Sequence, residues 1–223
     1  MIQSQYSGLS KHRIEALTDG IYAVAMTLLV IELKLPAHDS IETQADLINA
    51  VAHLLPKLVA WLISFLVLSL FWLGHHRLFQ FVRHVDGKLV ALNLVQLGFA
   101  SLMPFSSALS GEFGDTLFSQ VVYSINMAAL SILAILIARY IHRHPELCVH
   151  PMPENTYRAA RFRVGGLIVI SAVAVVIAIV IPGFGVGNMA FMLMMIIMPI
   201  SRRIEARPAR ANESANESSF LNT

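Results

Sequence analysis

Residues 13–36 read R-I-E-A-L-T-D-G-I-Y-A-V-A-M-T-L-L-V-I-E-L-K-L-P. From Gly20 to Ile31 this stretch holds no charge, and its charged residues gather at the two ends. A helix needs roughly 20 mainly apolar residues to cross the hydrocarbon core of a bilayer, so a spanning helix is expected over 16–35. At about 100° per residue, Leu17, Gly20, Val24, Leu28, Ile31 and Leu35 fall on one stripe, with Thr27 at its edge. Val24 to Ile31 covers roughly 10 Å of helix axis, from a rise near 1.5 Å per residue. Taken alone, such a stripe is what helix packing or lipid contact produces. Ala16, Gly20, Ala23 and Thr27 are small residues at helical spacing, which favours close helix approach. Arg13 and Asp19 stand at the mouth of the span, where ionisable groups are costly unless paired, hydrated or buried against other helices. Two readings stay open for them: a helix end whose charges reach water, or a fixed polar network that braces the helix.

The rest of the chain repeats the apolar theme. Of 223 residues, 56% are hydrophobic and 13% charged, and the mean hydropathy is +0.65. A soluble domain of this length carries nearer a quarter charged residues. Further apolar runs occupy 54–74, 89–109, 118–140, 164–181 and 184–200. The third run contains Pro104 near its end, where a kink is expected. The last follows Pro182-Gly183-Phe184-Gly185-Val186-Gly187, a breaker cluster that reads as a tight turn between antiparallel helices. The expected fold is all-α: an integral membrane bundle of six transmembrane helices in 1–203, followed by a disordered cytoplasmic tail, 204–223. The Asn-Glu-Ser triplets at 212–214 and 216–218 match glycosylation sequons, but the expected cytoplasmic side argues against that use.

Orientation follows from the basic residues in the loops. Arg13, Arg77, Arg83, Lys88, Arg139, Arg143, Arg158 and Arg203 fall on one side, while the other has only Lys34 and Lys57. Both termini are therefore expected in the cytoplasm of a multi-pass protein of the cell membrane. Cys148 is the only cysteine, so no intramolecular disulfide forms. A net charge of +2 is too small to argue for nucleic acid.

The first helix and three later segments resemble the transmembrane protein 175 family of potassium channels, found in lysosomes and prokaryotes. The family signature R-x-x-x-F-S-D is matched by Arg13, Leu17, Thr18 and Asp19, followed by Gly20. Leu17 stands where the family has Phe, and Thr18 keeps the hydroxyl of its Ser. T-L-L-V-I-E-L-K-L-P (27–36) is similar to the end of the family's first helix, and W-L-G-H-H-R-L-F (72–79) to the end of its second. L-N-L-V-Q-L-G-F-A-S-L-M-P-F (92–105) is similar to its third. The resemblance covers the chain to about residue 106 and rests on helix count beyond it.

The resemblance implies one six-helix repeat per chain, a homotetramer of identical subunits, and a pore lined by the first helix of each. It puts successive apolar constrictions at Val24, Leu28 and Ile31, with Thr27 beside them. It also implies that His75 or His76, with Asn93, bonds the Arg13, Thr18 and Asp19 cluster. No Gly-Tyr-Gly filter loop is present, so selectivity for potassium over sodium would come from pore width and helix-borne side chains.

Other constellations are weaker. His142, His144, Cys148 and His150 are types that suit zinc, but Pro145 and the loop setting favour a solvated basic loop in contact with anionic lipids. Met192, Met194, Met195 and Met198 read as core filling. No nucleophile–base pair, Walker loop or Rossmann turn appears, so no enzyme, cofactor or metal is expected. The expected function is a potassium-permeable channel whose partners are copies of itself, membrane lipids and the permeant potassium ion. The alternative is a proton- or cation-coupled carrier working through Asp19 and His76. Carriers often show inverted repeats and helices broken at mid-membrane, and neither is evident here.

Overall fold

The computed structural model describes residues 10–34, 43–181, 190, 191, 193, 194, 197, 200, 201 and 203–205. Up to residue 181 these form seven α-helices: α1 (Lys11–Ile31), α2 (Gln44–His53), α3 (Leu55–Phe79), α4 (Gly87–Ser101), α5 (Met103–Glu112), α6 (Leu117–Arg143) and α7 (Glu154–Val180). Among the described residues, five stretches are long and apolar enough to cross a membrane: α1, α3, α4 with α5, α6 and α7. The expected turn at 182–187 and tail 204–223 lie outside the described residues, apart from Ile204 and Glu205, as does most of the expected sixth span, 184–200.

Proline sets the helix breaks. The expected third span is two helices, because Pro104 has no N–H to give the carbonyl of Ala100. The chain turns at Leu102 and the ladder resumes with Ser106 N–H on Leu102 O at 3.1 Å. Pro56 does the same between α2 and α3, where Leu54 N–H reaches back only to Val51 O at 3.1 Å. α2 is absent from the sequence expectation. Its signal is a capping box: Thr43 Oγ1 accepts from Asp46 N–H at 3.2 Å, and Asp46 Oδ2 accepts from Thr43 N–H at 2.9 Å. α7 also starts ten residues before the apolar run at 164, because Glu154 to Arg163 form its polar first turns.

α6 is the hub, packed on α7, α4, α5 and α3. α1 lies on the other side of the bundle, against α3, α4 and α5. The main core gathers Tyr22, Leu68, Phe71, Leu97, Met127 and Leu130. A second core at one end holds Ile14, Phe79, Leu89, Ile141 and Met152. These come from the start of α1, the end of α3, the start of α4, the end of α6 and the segment before α7, so that end gathers the basic loops. There the two long loops pair. Arg83 N–H donates to Leu147 O at 2.7 Å and Val149 N–H to Phe81 O at 2.8 Å, around the bridge of Val82 with Cys148. Tyr140 O–H donates to Asp86, whose other oxygen caps α4 through Leu89 N–H at 2.9 Å. At the far end Lys57 pairs with Glu112.

Candidate functional site: the two faces of the first helix

α1 buries one face only. Ile14, Thr18, Tyr22, Ala25 and Leu29 recur at three- and four-residue spacing and face the bundle. Val24, Leu28 and Ile31 lie on the opposite side, exposed by 57%, 41% and 56%. Gly20 shares that open face, and a Cβ there would meet nothing within 4 Å. Thr27 is exposed, and its hydroxyl donates to Val24 O at 2.8 Å. That bond uses the proton and leaves the oxygen's other lone pair as an acceptor.

The buried face carries a polar chain across three helices. Asn93 is fully buried on α4. Its Nδ2 donates to Thr18 Oγ1 on α1 at 3.1 Å, and its Oδ1 is 2.8 Å from His75 Nε2 on α3. Since Oδ1 can only accept, Nε2 of His75 carries the proton. The His75 ring stacks on Phe79 with centroids 4.0 Å apart. His76, one residue on, is exposed and meets Gln80 at 3.3 Å. Asp19 accepts from Trp72 Nε1 at 2.8 Å. Trp72 in turn stacks on His76, centroids 5.9 Å apart. Arg13 is exposed and makes no ion pair with a described residue. Six helical residues separate it from Asp19, which turns the two side chains to different sides of α1. The structure thus joins Thr18, His75 and Asn93, joins Asp19 to Trp72 with His76 stacked on that indole, and leaves Arg13 outside both.

A second polar seam escaped the sequence reading. In the half of the bundle away from the basic loops, Ser64 Oγ donates to Ser107 Oγ at 2.8 Å and lies 3.0 Å from Tyr123 OH. Asn126 Nδ2 donates to Ser106 Oγ at 3.1 Å. The signal was Ser106, Ser107 and Ser110 at helical spacing inside an apolar run, a pattern that suits interhelical bonds in a membrane. The histidine loop is built rather than loose. His142 Nε2 lies 3.2 Å from Glu154 and stacks on Tyr157, while His144 stacks on Tyr140. Burial and then the Glu146 carboxylate push the Cys148 thiol up from its ordinary pKa. Among the described residues no three His, Cys, Asp or Glu side chains converge on a metal position.

Residues 13–104 match the family model described as endosomal/lysosomal potassium channel TMEM175. A potassium channel of Streptomyces collinus is 33% identical over 124 residues, 54% of this chain and 59% of that protein. The endosomal/lysosomal proton channel TMEM175 of Danio rerio is 26% identical over 139 residues, 62% of this chain and 26% of that protein. The matched segments thus span about three-fifths of the bacterial relative and a quarter of the animal one. The crystal structure of a lysosomal potassium-selective channel TMEM175 homolog from Chamaesiphon minutus superposes with a TM-score of 0.70 at 27% identity, covering 86% of this chain and 97% of that one.

Proposed function

We propose that the chain is a member of the TMEM175 family, whose model its residues 13–104 match, and that it is one subunit of a potassium-permeable channel, a homotetramer with α1 of each copy around the axis. The observation that carries this is the division of α1: one face bonded into its own subunit, the other apolar and open. One subunit cannot enclose a pore with a single helix, so identical copies complete it. Side-chain rings of Val24, Leu28 and Ile31 then narrow the path and disfavour water. Potassium, the less tightly hydrated ion, crosses such a constriction more readily than sodium. The Thr27 oxygen offers an acceptor at the same depth.

The chain Thr18–Asn93–His75 braces α1 against α4 and α3, and Asp19–Trp72 adds a second tie to α3. His76 stacks on Trp72 at the edge of that tie, and Arg13 joins the brace only through contacts between subunits or with water. The basic residues of the end where α1 starts support a cytoplasmic position for both termini in the plasma membrane. Lipids surround the remaining apolar surface. No catalytic step, cofactor or metal is part of the proposal.

The test is reconstitution of the chain in a defined bilayer with opposed potassium and sodium gradients. A reversal potential near that of potassium is expected. Leu28→Ala should raise conductance and weaken the preference, and Ile31→Asn should act in the same direction by hydrating the constriction. Val24, Leu28 and Ile31 variants that assemble with unchanged conductance and reversal would take α1 off the pore. A flux that saturates and follows a pH gradient, without single-channel steps, would favour the carrier instead.

A further inference from the structure

The polar first turns of α7 hold more positive charge than the chain itself neutralises. Glu154 is the only carboxylate of the helix, against Arg158, Arg161 and Arg163. Both of its oxygens are engaged: Oε2 lies 3.2 Å from His142 Nε2, and Oε1 accepts from Arg158 Nε at 3.0 Å. Arg163 lines the cleft beside α3. Arg161 is exposed, and no ion pair or hydrogen bond reaches it from a described residue. Its guanidinium is held over the Tyr157 ring, 5.5 Å from the centroid. Tyr157 stacks in turn on His142, centroids 4.4 Å apart and planes 5° apart. The head of Arg161 is thus placed while its N–H donors stay unmet, and Arg158 uses only Nε within the chain. Below the two arginines, Phe162, Val169, Val173 and Val176 follow at helical spacing and are all exposed. Gly165 leaves a notch on this line, since a Cβ there would meet nothing within 4 Å. α7 crosses the membrane on the side of α6 away from α1, so this face looks outward from the proposed axis.

We propose that this face binds an anionic phospholipid of the leaflet at the basic end, its phosphate between Arg158 and Arg161 and an acyl chain along Phe162, Gly165 and Val169. Guanidinium forks match phosphate oxygens, and such charge-assisted bonds are stronger than neutral ones. A net negative headgroup supplies the charge that Glu154 cannot. A zwitterionic headgroup brings its own cation, which the arginines repel. The exposed valines beneath suit an acyl chain, so charge and apolar surface meet in the order in which a phospholipid presents them. The site needs α7 to span the membrane and does not rest on the channel reading.

The test titrates the full chain in detergent with dioleoylphosphatidylglycerol and with dioleoylphosphatidylcholine, counting bound lipids by native mass spectrometry. The anionic lipid should bind about 25-fold more tightly, roughly fivefold for each arginine near the headgroup. Arg161→Gln breaks no bond within the chain and should lower that preference about fivefold. Adding Arg158→Gln should bring it close to one. Arg83→Gln with Lys88→Gln removes the same charge from exposed positions at the same end and should leave the preference in place. Equal binding of the two lipids, a preference that survives Arg161→Gln, or an equal loss in the Arg83 and Lys88 control would overturn the inference. So would displacement of the lipid by excess inorganic phosphate, which would make this a free-anion site. An Arg161→Gln chain that changes its oligomer mass but not its lipid count would give the face to a second copy of the chain. Arg161→Gln alone decides the matter if the double variant fails to fold, and no outcome touches the conductance test.

Discussion

Asn93 does two jobs with one amide, donating to Thr18 and accepting from His75. Removing it strands two buried partners at once, and an unpaired buried polar group costs about 1–3 kcal/mol. Asn93→Ala should therefore lower stability by about 2–3 kcal/mol, measured by denaturation in detergent. Trp72→Phe removes one bond to a carboxylate at an exposed position, and about 1 kcal/mol or less is expected. Equal losses in the two variants would mean that Asn93 is no better tied than a surface contact. The sequence resemblance led to Thr18, Asn93 and a histidine, but adjacent histidines cannot be told apart by motif. They point 100° apart on α3, and only the packing that buries His75 and exposes His76 separates them. The resemblance groups Arg13 with Asp19 through their spacing along the chain, while the helix turns the two side chains to different sides.

Among the elements, the kinked α4–α5 pair shows what a proline can arrange. The turn at Leu102 lets α5 present Ser106 and Ser107 to α3 and α6, where Ser64, Tyr123 and Asn126 wait for them. Ser64→Ala would take a partner from both Ser107 and Tyr123. Interhelical hydrogen bonds in membranes contribute about 0.6 to 1.7 kcal/mol, so a loss of about 1 kcal/mol is expected in a denaturant titration. A neutral result would mean that the two hydroxyls find other partners. Hydropathy located the long helices because a membrane demands apolar runs, and it located the kink because proline lacks a donor. It passed over α2, whose ten residues are too few to span and whose start is written in Thr43 and Asp46 rather than in hydrophobicity. It also passed over the serine seam, since hydroxyls inside an apolar run barely change its average.

At the scale of the molecule, the bundle has two unlike sides, with α1 against α3, α4 and α5, and α7 across α6. Gly20 separates folding from assembly. A side chain there meets nothing within its own chain, so Gly20→Leu should leave the subunit's helical content and unfolding unchanged. If the open face of α1 packs against copies of itself, the same change should convert the tetramer into smaller species in a mass measurement in detergent. An unmodified chain that runs only as a monomer would end the tetramer proposal. The asymmetry was partly legible, because the small residues of α1 fall on one face of a helical projection. The packing order of the other helices was not, since nothing in a hydropathy profile says that α6 is the hub. The pairing of the two loops at the basic end bears on how the chain is made. Phe81 to His84 emerge from the ribosome well before their partners Leu147 and Val149, with two whole spans synthesised between them. Until those arrive, the first loop has no strand to pair with, and the second core, which needs Ile141 and Met152, stays open. Closure of this end is therefore a late step of biogenesis, and a nascent chain stalled before residue 147 should leave Phe81 and Val82 accessible to a protease that the finished protein resists.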